Sequence, residues 1–110
     1  MELIFPEPIL GLPEADIPIS GVRAYLSQDG SHQIIFMEFG EDADLPEHSH
    51  AAQFGVVLEG RIDLNIEGVP HTFQKGDRYF IPAGAKHSGR IYAGYADITF
   101  FDQKDRYKAK

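Results

Sequence analysis

The chain contains no cysteine, and that absence removes disulfides, thiolate metal sites and cysteine nucleophiles together. It fits a reducing compartment, and a cytoplasmic location is expected. No apolar run approaches the roughly 18 residues that a membrane-spanning helix needs, so no membrane partner is expected. The opening Met1-Glu-Leu-Ile-Phe-Pro6 lacks the basic start and long apolar stretch of a secretory signal. Basic residues are also scarce, with 10 Lys and Arg against 17 Asp and Glu and a net charge of -7. That balance argues against nucleic-acid binding, which needs clustered cations to neutralise phosphates. The one basic bias is Lys104, Arg106, Lys108 and Lys110, interrupted by Asp105. It reads as a charged, solvated tail over residues 103–110.

What is present is enough for one modest core: 110 residues, 43% hydrophobic and 25% charged. Residues 1–20 include Pro6, Pro8, Pro13 and Pro18 and read as an extended, non-helical lead-in packed on the rest. Residues 21–102 hold short runs rich in β-branched and aromatic residues, punctuated by Gly, Pro and acidic clusters. Strands are predicted at 22–27, 33–39, 53–58, 61–67, 71–74, 78–81, 87–92 and 96–101, with turns at Asp29-Gly30, Glu59-Gly60, Glu67-Gly68 and Lys75-Gly76-Asp77. No apolar pattern holds a helical period for three turns. The expected fold is all-β, an antiparallel sandwich or barrel.

Alternation is clearest in Arg61-Ile62-Asp63-Leu64-Asn65-Ile66-Glu67, where Ile62, Leu64 and Ile66 share one face. The run Gln53-Phe-Gly-Val-Val-Leu58 is apolar on both faces, which points to a strand covered on its outer side by a second layer or by a partner subunit. A homodimer is expected on that basis.

The chemistry concentrates in two stretches. One runs from Gly40 through His48-Ser49-His50 and Gln53 to Gly60, and the other is Gly76-Asp-Arg-Tyr-Phe-Ile-Pro82-Ala-Gly84-Ala-Lys-His87. Residues two apart on extended backbone point the same way, so His48 and His50 can present both imidazoles to one point. Pro46 favours such backbone just before them. Imidazoles suit divalent Zn, Cu, Fe, Ni and related ions, a durable site needs a third donor, and His87 is the candidate. Gln53 can add a neutral oxygen. An isolated His-x-His is more often an exposed polar pair than a ligand pair; it is the surrounding pattern that raises its weight here.

That pattern resembles the two motifs of the cupin family. The second stretch matches closely: Gly76, five residues, Pro82, one residue, Gly84, two residues, His87. The first keeps Gly40, the His-x-His pair and Gly60, but seven residues separate Gly40 from His48 where the family pattern has five. Gln53 stands where the family has a Glu, one residue nearer to the second His, and Ile91 stands where it has an Asn. The resemblance implies a compact jelly-roll barrel (double-stranded β-helix) and a single divalent transition metal ion per chain, any of Fe, Mn, Ni, Zn or Cu. His48, His50 and His87 carry over as its ligands, with Gln53 a weaker fourth ligand or a hydrogen-bonding neighbour. An amide in place of a carboxylate leaves a neutral donor set, which favours an anionic ligand. Because imidazoles bind metal only when neutral, occupancy is expected to fall as pH drops through the mid-range.

Three functions follow. The resemblance implies a metalloenzyme acting on a small molecule, of oxygenase, isomerase or lyase type. The alternative is a non-catalytic module that binds a small molecule or a metal, and a third reading is a structural barrel with a degenerate site. Glu38, Asp97, Tyr79 and Tyr92 are candidate proton donors or acceptors lining the cavity, although each can equally be structural. His32 and His71 are assigned to turns and a strand start, not to the metal. Phe36, Met37, Phe54, Phe80, Phe100 and Phe101 read mainly as core.

Overall fold

The computed structural model describes residues 4–110. A single helical turn, α1 (Glu7–Leu10), precedes nine strands: β1 (Val22–Gln28), β2 (Gln33–Phe39), β3 (Ala43–His48), β4 (Gln53–Glu59), β5 (Arg61–Ile66), β6 (Val69–Gln74), β7 (Arg78–Ile81), β8 (His87–Ile91) and β9 (Ala96–Phe101). They form two antiparallel sheets, β1-β2-β9-β4-β7 and β3-β8-β5-β6, as the all-β jelly-roll expectation required. Among the described residues no helix is long and apolar enough to cross a membrane.

Period-two alternation sets which side chains fill the space between the sheets. Leu26, Ile35, Met37, Val57, Ile81 and Phe101 from the first sheet meet Ala43, Ile62, Leu64 and Ile91 from the second. The turns expected at Gly60, Gly68 and Gly76 have positive φ, which glycine adopts without steric cost; Gly68 closes the β5-β6 hairpin, and the other two carry the chain between the sheets. At Gly60 a Cβ would also come within 2.7 Å of the Tyr95 backbone.

Three expectations need correction. The lead-in is not wholly non-helical: Pro6 and Pro8 sit at the start of α1, where a missing N–H costs nothing and φ is already set. Strand β3 was not foreseen, and β6 begins at Val69 instead of residue 71. Both contain a proline, Pro46 or Pro70, and both are edge strands, the one place in a sheet where proline is tolerated. The C-terminal segment is docked, not a solvated tail. Ala109 bridges Ala15, the Lys110 N–H donates to the Glu14 carbonyl at 2.9 Å, and Tyr107 packs against the core. Buried Gln33 anchors it by donating from Nε2 to the Tyr107 carbonyl at 2.7 Å and accepting from the Tyr107 N–H at 3.0 Å.

Candidate metal centre

Strand β3 ends on His48, β8 begins on His87, and the two residues are direct cross-strand partners. Upstream, Leu45 faces Gly89, so three steps along β3 match only two along β8. This is a β-bulge, and it decides the side-chain directions. Ala43 is buried and Leu45 lines the interior, so strict alternation would next turn Glu47 inward. The bulge leaves Glu47 exposed and turns His48 into the cavity instead. Proline at Pro46 suits the irregular stretch because it has no N–H to leave unpaired. His50 follows in the connection to β4.

The three imidazoles converge at one end of a cavity of about 770 Å³ between the sheets. Ring centroids lie 4.2 Å apart for His48 and His87, 4.7 Å for His50 and His87, and 5.2 Å for His48 and His50. One ligand nitrogen from each falls within 4.8 Å of the other two, so the three could hold a metal ion. Each Nδ1 lies beside a backbone carbonyl: Pro46 at 2.8 Å for His48, Ala51 at 2.7 Å for His50 and Ala85 at 2.9 Å for His87. A carbonyl only accepts, so each Nδ1–H donates and each Nε2 keeps its lone pair. That tautomer and orientation are what metal ligation requires. Burial pushes the His50 imidazole down to about 4 and lowers His87 as well, with the Arg106 charge a lesser contributor to both. Proton competition at these two donors therefore shifts below the mid-range expected from sequence.

Gln53 opens β4 on the cavity side, with its Nε2 donating to the Tyr79 hydroxyl at 3.3 Å. Tyr79 in turn donates to Asp97 Oδ2 at 3.1 Å, Tyr95 donates to the same oxygen, and Thr99 donates to Oδ1 at 2.9 Å. Burial raises the Asp97 carboxyl to about 6 despite these three donors and raises Tyr79 well above the usual phenol range. The Tyr79 ring fits because Gly55 faces it: a Cβ there would stand 2.2 Å from Cζ of Tyr79.

Of the other expected cavity residues, Asp97 and Tyr79 line it, whereas Glu38 and Tyr92 do not. Glu38 is buried on the outer face of β2, where it accepts from the Ile4 N–H at 3.4 Å. Tyr92 donates to Asp63 at 2.7 Å on the outer side of the second sheet. His32 stacks on Phe100 and His71 on Phe73, away from the cluster. Phe54, Phe80 and Phe100 are not core: they stand on the outer face of the first sheet with 41%, 58% and 37% of their surface exposed. The residues sequence reasoning missed are Arg106 and Tyr107, which line the cavity from the C-terminal segment. The available signal was an aromatic residue within an otherwise charged tail.

A family model described as a cupin domain matches residues 34–94. The dimethylsulfoniopropionate lyase DddW of Ruegeria pomeroyi is 32% identical over 80 residues, covering 66% of this chain and 53% of that protein. The chain thus spans about half the length of that curated relative. Among solved structures, an RmlC-like cupin from Shewanella frigidimarina superposes with a TM-score of 0.76 at 21% identity, over 96% of this chain and 94% of the other. An oxalate decarboxylase from Bacillus subtilis gives 0.71 at 17% identity, over 87% of this chain and 28% of the other. At these identities the two structures speak to the fold alone.

Proposed function

Since the chain belongs to the cupin family, we propose that it is a mononuclear metal-binding cupin, a metalloenzyme acting on a small molecule with His48, His50 and His87 as the metal ligands. The observation that carries this reading is the common tautomer: three backbone carbonyls fix three Nδ1–H groups and leave three Nε2 lone pairs free, on rings that each bring one ligand nitrogen within 4.8 Å of the other two. A divalent ion held there supplies Lewis acidity or redox chemistry, according to its identity. Gln53 donates from its amide nitrogen to the Tyr79 hydroxyl and so orients that ring, while its amide oxygen is left as a weaker fourth donor. Tyr79 and Asp97 supply a hydroxyl and a carboxyl on the same cavity wall, the groups through which a proton would move during an elimination. Similarity to a dimethylsulfoniopropionate lyase favours the lyase type among the possible reactions.

A second reading, a non-catalytic binding module, draws support from one observation: three of the roughly four acceptor positions of the Asp97 carboxylate are already taken by Tyr79, Tyr95 and Thr99. The exposed outer-face phenylalanines support a homodimer in either case.

Elemental analysis of tag-free, chelator-free protein beside a His48→Ala/His87→Ala variant is the direct test. About one transition metal per chain is expected in the wild type, and loss of it in the variant. Equal metal in both, or none even after reconstitution, rejects the site. Incubation of the metal-loaded protein with dimethylsulfoniopropionate, followed by proton NMR, then separates the readings. Consumption supports the enzyme; binding without consumption supports the module.

A further inference from the structure

Beyond the histidines, the cavity is lined by one cation, Arg106, that has no ion-pair partner among the described residues. Arg106 lines it from the C-terminal segment, which Gln33 and Tyr107 clamp to the end of the fold. Its guanidinium carbon lies 4.4 Å from the Tyr107 ring centroid and 5.7 Å from that of Phe101. Phe101 in turn packs edge-on against His50 at 5.3 Å. One aromatic ring therefore separates the guanidinium from the imidazole cluster. The aromatic contacts hold the planar group in place without neutralising it.

Three carboxylates also line the cavity, and each is engaged elsewhere. Asp97 accepts from Tyr79, Tyr95 and Thr99; Asp44 accepts from Arg90 at 2.6 Å; Asp105 accepts from Gln103 at 3.1 Å. Among the described residues no carboxylate lies within 4.0 Å of Arg106. Its Nε is buried and has no hydrogen-bond partner among the described residues. A buried guanidinium donor left unpaired in a folded protein calls for an acceptor from outside the chain, and the planar fork matches a carboxylate.

We propose that Arg106 is a substrate-binding residue, and that the cavity takes a small carboxylate whose anionic end meets this guanidinium while its other end faces the three histidines. The second half of the statement rests on the metal-site reading above; the first does not. The three imidazoles are neutral donors, and the cavity carboxylates are each engaged by other donors, which is compatible with an anion entering. The class of ligand is a carboxylic acid small enough for the cavity.

Malonate is a suitable probe, with malonamide as its neutral counterpart. Calorimetric titration of protein as purified, its metal content measured in parallel, is expected to show malonate binding that weakens about tenfold or more in Arg106→Gln, with metal content unchanged. Arg106→Lys should fall between the two, keeping the charge but not the fork. Wild-type affinity in Arg106→Gln at unchanged metal content overturns the proposal. A further arm needs no variant to fold: wild-type protein stripped with a chelator should still prefer malonate to malonamide, and equal binding overturns the proposal. Absence of metal from every sample would reject the three-histidine reading while leaving both comparisons on Arg106 intact.

Discussion

At the scale of single residues, the site depends on small side chains as much as on its ligands. Gly55 leaves the space that the Tyr79 ring fills, so Gly55→Ala should displace Tyr79, break the Gln53-Tyr79-Asp97 chain and destabilise the fold by about 1–3 kcal/mol. Urea unfolding would measure this, and an unchanged midpoint would mean that the ring moves freely. The titrating groups act in opposite directions. His50 falls from 6.5 to about 4 on folding, so the unfolded chain takes up protons that the folded one refuses. Its contribution to stability is lost progressively as pH drops from 6.5 toward 4. Asp97 rises from 3.8 to about 6, so the folded chain keeps a proton that the unfolded one has released. Stability is gained from it as pH drops from 6 toward 3.8. In metal-free protein the two partly cancel, and Asp97→Asn should steepen the fall in Tm between pH 6 and 4. Parallel curves for wild type and variant would show that Asp97 is not the compensating group. That His48, His50 and His87 belong together was legible in the sequence because of the Gly and Pro pattern around them, and the structure brings the three imidazoles into one cluster. Glu38 and Tyr92 were misplaced because a period of two cannot say which face is inward until one residue of the strand is fixed.

At the scale of elements, legibility followed strand position. Central strands β2, β4 and β9 carry the β-branched and aromatic residues that mark buried strands, and their limits were readable to within a residue. Edge strand β3, with the sequence Ala-Asp-Leu-Pro-Glu-His, has almost none of that signal, since an edge needs only one partner and admits charge and proline. The docked C-terminal segment was equally opaque, because what fixes it is a distant amide. Gln33 is fully buried and bonded to Gln28 at 2.7 Å as well as to Tyr107. Gln33→Leu should leave the Tyr107 N–H and carbonyl unpaired, cost about 1–3 kcal/mol and release the segment. Limited trypsin digestion would then cut at Lys104 and Arg106 faster than in the wild type; equal rates would show that Tyr107 packing alone suffices.

At the scale of the whole molecule, the outer face of the five-stranded sheet presents Phe80, Phe54 and Phe100 as successive cross-strand neighbours. The sequence marked β4 as apolar on both faces but could not say whether protein or solvent covered the outer one. The proposed homodimer would cover it. Phe54→Asp should therefore shift the mass measured by light scattering from two chains to one while leaving the metal content intact, and a wild type that already runs as one chain would remove the dimer. The imidazole cluster is carried by β3, β8 and the connection into β4, whereas the phenylalanine row stands on the outer face of the other sheet, which is why the two properties should separate by mutation.

The bulge in β3 also bears on how the loop before the histidines can change length. It absorbs one surplus residue without moving its neighbours, and so accounts for one of the two by which the Gly40 to His48 interval exceeds the family spacing. Excising Pro46 would erase the bulge yet still set His48 opposite His87, whereas excising Ser49 has no such slack to draw on. A single-codon deletion should thus be tolerated ahead of His48 and not after it, an asymmetry that a deletion scan with metal content as the readout would reveal.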